Sequence, residues 1–143
     1  VNEDERRAAG PVLRDLVPGI GDLAIDTIAT MPRSTFCLVF AFSQGDAPTY
    51  ARAVAVIRAE HPPLLRLSCL HEELAQGMGL ANDSPRARPS IFNDDEEFAL
   101  LTRHDELLLK MLYDPRLRPG MGAGQARPII AEIARELVAA ETE

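Results

Sequence analysis

Apolar positions along the chain change their spacing several times, and each change predicts an element. Val12, Leu13, Leu16 and Val17 group on one helical face, which predicts a helix within residues 4–17, with Pro11 at its start or at a kink. Pro18-Gly19 ends it. Leu23, Ile25 and Thr27 alternate with small or polar residues, so the spacing predicts a strand over Leu23–Ile28. Met31-Pro-Arg-Ser34 reads as a turn. Thr35–Phe42 is a continuous run rich in β-branched and aromatic residues, the strongest strand in the chain and apolar on both faces, as a central strand is. After Gln44-Gly-Asp-Ala-Pro48, alternation through Val54–Arg58 predicts another strand, with a helix as the alternative. His61-Pro-Pro63 predicts an extended connection, because a residue before proline is pushed away from helical backbone.

Three helices are expected after it. The first runs from Ser68, as N-cap, to Met78, with Gly79 in its C-terminal turn. A polar, proline-marked loop covers residues 82–99. Thr102 then caps a helix through Tyr113, with Asp105 at the acidic position of a capping box and Leu107, Leu108, Met111 and Leu112 facing inward. Asp114-Pro115 stops it. Gly120–Gly124 lacks the strand and lysine of a phosphate loop and reads as a linker. Pro128–Ala140 forms a terminal amphipathic helix striped by Ile129, Ile130, Ile133, Leu137 and Val138. The expected fold is α+β in one domain, residues 1–143: a small mixed sheet, a helix packed on it, and two further C-terminal helices.

Composition adds limits. The 143 residues are 46% hydrophobic and 26% charged, an ordinary balance for a globular domain. Apolar runs stop far short of the ~20 residues that span a bilayer, so no membrane insertion is expected. A formal charge of −7 argues against a nucleic-acid backbone as partner. The start, Val1-Asn-Glu-Asp-Glu5, is acidic and unlike a signal peptide, although a chain that opens without methionine is consistent with a removed segment upstream.

The two cysteines, Cys37 and Cys69, have no CxxC spacing. Left free they would be small buried hydrophobes. Paired, they would close a loop of about thirty residues, contribute roughly 3–4 kcal/mol, and imply an oxidising compartment. The sequence leaves both states open.

The richest chemistry lies in Cys69-Leu-His-Glu-Glu-Leu-Ala-Gln-Gly-Met-Gly-Leu-Ala-Asn-Asp83. It resembles the metzincin protease helix, H-E-x-x-H-x-L-G-L-x-H, in which three histidines hold zinc and the glutamate is the general base. Anchoring on Gly79-Leu80 puts Glu72, Gln76 and Asn82 at the histidine positions and Glu73 at the general-base position. His71-Glu72 is then one residue out of register. Ser90-Ile-Phe92 stands where the metzincin methionine turn is expected, and Leu101–Tyr113 resembles the closing helix. A nearer resemblance is to a bacterial family of secreted or envelope-associated domains that carries only an unknown-function label. It rests on Glu72–Gln76, Gly79-Leu80, Asn82-Asp83, Ser90–Asp94, Leu112–Arg116 and Pro119-Gly-Met121. These resemblances imply a zincin-like fold and a periplasmic or secreted location, and supply no reaction.

One carboxylate and two amides make a poor zinc set, so no metal and no cofactor is expected. A calcium site would need more carboxylates, with Asp83, Asp94 or Asp95 the nearest supply. Glu72, Gln76, Asn82 and Asp83 are expected to form a polar cluster, either a buried hydrogen-bond network or a ligand site. The leading functional expectation is a non-proteolytic, zinc-free domain that binds an unknown protein or small-molecule ligand. The alternatives are a metal-independent hydrolase using Glu73 or Glu72 as general acid/base, and a cytosolic partner-binding subunit. His71, His104 and His61 read as helix-surface, first-turn and loop residues. Asp94–Glu97 reads as a solvated acidic loop.

Overall fold

The computed structural model describes residues 1–93 and 97–141. Three short helices come first: α1 (Glu3–Arg7), α2 (Gly10–Leu16) and α3 (Asp22–Thr30). A hairpin follows, β1 (Cys37–Ser43) and β2 (Tyr50–Ile57). The rest is helical: α4 (Pro63–Gly77), α5 (Arg103–Leu112) and α6 (Ala123–Ala140).

The hairpin is antiparallel, with Leu38 opposite Val56, Phe40 opposite Val54, and a register shift at Phe42/Ser43. A mixed sheet was expected, but among the described residues the sheet has these two strands alone. The segment expected to add a third is helical. Ile25 and Ile28 are its buried residues, a helical spacing, whereas Leu23 is exposed. The Thr27 hydroxyl donates back to the Leu23 carbonyl one turn earlier at 2.8 Å. The alternation of Leu23, Ile25 and Thr27 was therefore a coincidence of a short amphipathic helix.

Both faces of the hairpin are nevertheless covered, which explains why β1 is apolar throughout. Leu38, Phe40, Phe42, Val54 and Val56 face a core made with Leu13, Val17, Ile20, Ile25 and Ile28 from the N-terminal helices. Two buried arginines tie this layer together. Arg6 donates to the carbonyls of Ile28 and Ala29 at 2.7 and 2.5 Å, satisfying the C-terminal end of α3. Arg58 donates to Met31, Pro32 and Thr35 carbonyls and fixes the turn into β1.

The opposite face receives α4. A side chain at Gly77 would come within 3.2 Å of Ala53 Cβ and 3.3 Å of Val39 Cγ2, so glycine lets the helix lie close on the sheet. This helix begins at Pro63, five residues before the expected cap at Ser68. Pro62 is extended (φ −54°, ψ 153°), and Pro63 takes the first helical turn, where its missing N–H costs nothing. Helix α6 likewise starts before its expected proline: Gln125 and Ala126 N–H groups bond the Gly122 carbonyl, and Pro128 lies inside the helix. The capping box of α5, Thr102 with Asp105, forms as the sequence indicates.

Candidate functional site

Each side of α4 has a different fate. The side toward the sheet carries Cys69, bonded to Cys37 across a sequence separation of 32 with Cα atoms 5.9 Å apart. One turn on, Glu73 is buried with it. Another side, carrying Leu65, Ser68 and Glu72, borders a groove of about 650 Å³. Phe36, Ile91 and Phe98 supply apolar walls, and Asp83 joins Glu72 as its charged lining. On a third side Leu64, Leu67, Leu70, Leu74 and Met78 are exposed at helical spacing, an apolar stripe that meets the groove at Leu64.

The loop forming the far wall is held from below by Asp105, which is fully buried. Its Oδ1 accepts from Ser90 Oγ at 2.5 Å, and its Oδ2 accepts from the N–H groups of Ile91 (3.1 Å) and Thr102 (2.8 Å). Thr102 Oγ1 adds a further bond at 2.9 Å. Asn93, also buried, donates to the Ala87 carbonyl at 2.5 Å. His71 Nδ1 accepts from Leu101 N–H at 3.1 Å, tying α4 to the entry of α5. The hydroxyl of Tyr113 closes the other end of the helix by donating to the Met78 carbonyl at 2.8 Å. The groove thus has one helical wall and one loop wall, each anchored.

Its electrostatics are one-sided. Burial raises the pKa of Glu72, and the charge of Asp83 raises it further. Glu73, beneath, is pushed up to about 7, first by burial and then by the charges of Glu72 and Asp83. Its Oε2 is buried without a hydrogen-bond partner among the described residues. Because the folded state holds this proton more tightly than the unfolded chain, Glu73 makes stability fall as pH rises from the ordinary glutamate range to about 7. Allowing for screening by water at Glu72, ionising Glu73 costs on the order of 1–2 kcal/mol. Glu73→Gln is therefore expected to match the parent chain near pH 4 and to exceed it by that amount at pH 8. Urea unfolding at both values checks it, and an unchanged gap between the two chains would place the effect elsewhere.

The sequence-derived cluster is distributed as follows. Glu72 and Asp83 line the groove, Glu73 lies between helix and sheet, Gln76 is half-buried and Asn82 is exposed. Among the described residues no hydrogen bond joins Glu72, Gln76 and Asn82 to one another, and Glu72 and Asp83 are the two that meet at the groove. The metzincin-register set is a poor fit to zinc: it offers one carboxylate and two neutral amides, and one of those amides is solvent-exposed. Asp94, Asp95 and Glu96 lie outside the described residues. Glu97 is exposed and paired with Arg88 at 2.8 Å. The His61 ring packs edge-on against Phe36, with centroids 5.2 Å apart, behind the groove wall. His104 Nδ1 sits 3.1 Å from the Pro89 carbonyl.

Ser90, Asn93 and Asp105 form the support that sequence reasoning missed as a unit. The signal for Asp105 was present, since a capping-box carboxylate has a second oxygen to offer. Nothing local showed that Ser90, fifteen residues earlier, would take it.

A family model described as a protein of unknown function (DUF2927) matches residues 1–132. The chain belongs to that family. The DUF2927 match spans both the N-terminal helices and the α4 groove, so the two layers are parts of one family unit. Neither the curated proteins nor the solved structures contain a match to this chain.

Proposed function

We propose that this chain is a non-proteolytic binding domain of the bacterial envelope or secreted space, built on a zincin-like helix–loop–helix arrangement that has lost its metal ligands. Its ligand is a protein segment that combines apolar side chains with an arginine or lysine. The groove beside α4 carries this reading: its walls are apolar, and its charged lining is Glu72 and Asp83, both acidic. A cationic head between them would relieve the burial and mutual repulsion that raise the Glu72 pKa. The exposed leucines of α4 extend the apolar contact beyond the groove, the pattern of an interaction face. The net charge of −7 favours approach of a basic segment. The disulfide, and the lack among the described residues of a helix long and apolar enough to cross a membrane, are compatible with a secreted location.

The test uses acetylated hexapeptides that pair leucines with one arginine, lysine, glutamine or glutamate. Arginine and lysine peptides are expected to bind at least tenfold tighter than the glutamate peptide by calorimetry. The double change Glu72→Gln, Asp83→Asn is expected to remove that preference, about 1–3 kcal/mol for lost charge-assisted bonds. Equal affinity across the panel contradicts the proposal.

The raised pKa of Glu73 favours a second reading, a metal-independent hydrolase with Glu73 or Glu72 as general acid/base. Glu73 lies beneath the groove rather than along it, which makes this the weaker reading. A turnover that Glu73→Gln abolishes without loss of fold would reverse the order.

A further inference from the structure

The surroundings of the disulfide suggest more than a cross-link. Cys37 Sγ and carboxylate oxygens of Glu72 and Glu73 all lie within 4.8 Å of one another. Cys69, bonded to Cys37, precedes Glu72 and Glu73 on α4 by three and four residues, so the two carboxylates flank it one turn on, Glu72 toward the groove and Glu73 toward the sheet. Four donors around a tetrahedral zinc, with Zn–S about 2.3 Å and Zn–O about 2.0–2.2 Å, stand roughly 3.3–3.8 Å apart. Cys37 Sγ and the two carboxylates therefore stand within about 1–1.5 Å of that spacing, and Cys69 would swing in as the fourth donor once released from Cys37.

A second observation points the same way. Glu73 is 5% exposed, and its Oε2 has no hydrogen-bond partner among the described residues. A buried carboxylate oxygen left without a donor is costly, and a cation would satisfy it. While Cys37 and Cys69 are bonded to each other, neither sulfur is a thiolate, and the remaining pair of carboxylates is a weak set for zinc.

We propose that reduction of Cys37–Cys69 by a dithiol converts this cross-link into a zinc site, with the two thiolates and the carboxylates of Glu72 and Glu73 as ligands. The dithiol gives two electrons and two protons and becomes a disulfide; the Cys37–Cys69 bond breaks and two thiols form. Zn²⁺ then displaces both thiol protons, so metal uptake releases protons. With Cα atoms 5.9 Å apart, side-chain rotation alone brings the two freed sulfurs to zinc-ligand spacing. Four anionic ligands on Zn²⁺ carry the same net charge as a four-thiolate structural site. The site lies where α4 meets the start of β1 and shares Glu72 with the groove, but its metal binding needs no peptide and stands whether or not the groove binds one.

The full chain is reduced with a phosphine, freed of excess reagent and titrated with Co²⁺, then Zn²⁺, beside the oxidised chain. The reduced chain is expected to bind one Co²⁺ with sulfur-to-cobalt charge-transfer absorption that Zn²⁺ abolishes, and the oxidised chain to bind none. Glu73→Gln is expected to weaken binding at least tenfold while two free thiols still titrate and the helical circular dichroism is unchanged. No metal uptake by the reduced chain overturns the proposal. So does equal affinity in Glu72→Gln and Glu73→Gln, which would leave the cysteine pair alone as ligand. A reduced chain that unfolds and is not restored by Zn²⁺ overturns it as well.

Discussion

Replacing Cys37 and Cys69 together by alanine is expected to lower the unfolding free energy by about 3–4 kcal/mol. The bond closes a sequence separation of 32, and releasing it returns that loop's entropy to the unfolded chain. The bond also pins α4 to the start of β1, so the loss should be concentrated where helix meets sheet. Domains of this size are typically stable by about 5–15 kcal/mol, so the variant should remain folded at room temperature while its urea midpoint falls. Amide exchange should quicken in α4 and β1 before it does in the α5 helix. A loss under about 1 kcal/mol would mean that packing of Gly77 on Val39 and Ala53 holds the helix without the bond.

Asp105→Ala is expected to cost as much or more, about 3–5 kcal/mol. The carboxylate is fully buried and accepts from Ser90 Oγ, Ile91 N–H, Thr102 N–H and Thr102 Oγ1. Removing it leaves several buried donors unmet and deletes the cap of α5. Its loss acts on the groove too, because Ser90 and Ile91 hold the loop wall. Ser90→Ala, which removes one of those bonds, should cost about 1–2 kcal/mol by the same reasoning. Thermal unfolding of the two variants against the parent chain provides the check. If Asp105→Ala costs no more than Ser90→Ala, the carboxylate does not organise the loop as described.

Where local chemistry alone decides a structure, the sequence was legible. Thr102 and Asp105 announce a capping box, and the β-branched and aromatic run through Phe42 announces a strand. What failed were choices settled by partners far along the chain. Leu23, Ile25 and Thr27 fit a strand as well as a helix until Ile25 and Ile28 are seen entering a core with Val56. The apolar run of β1 suggested the centre of a larger sheet, whereas two helical layers cover a hairpin. The site divides in the same way. Register against Gly79-Leu80 singled out Glu72, Glu73, Gln76 and Asn82, because helical spacing and the Gly79 turn are local; of these, Glu72 lines the groove. It did not single out Phe36, just before β1, or Ile91 and Phe98 from the loop before α5, which meet only through the fold. Asn82 follows the turn outward to solvent while Gln76 is half-buried, a difference in depth that local spacing does not show.

The central claim is that the acidic groove beside α4 binds a basic, apolar segment. It is tested most directly by titrating the isotope-labelled chain with the leucine–arginine hexapeptide and following backbone and side-chain resonances. The account predicts saturable shifts at Phe36, Leu65, Glu72, Asp83 and Phe98, lost in the Glu72→Gln, Asp83→Asn chain. Shifts confined instead to the opposite end of the helix, around Tyr50, Met78 and Tyr113, would contradict it.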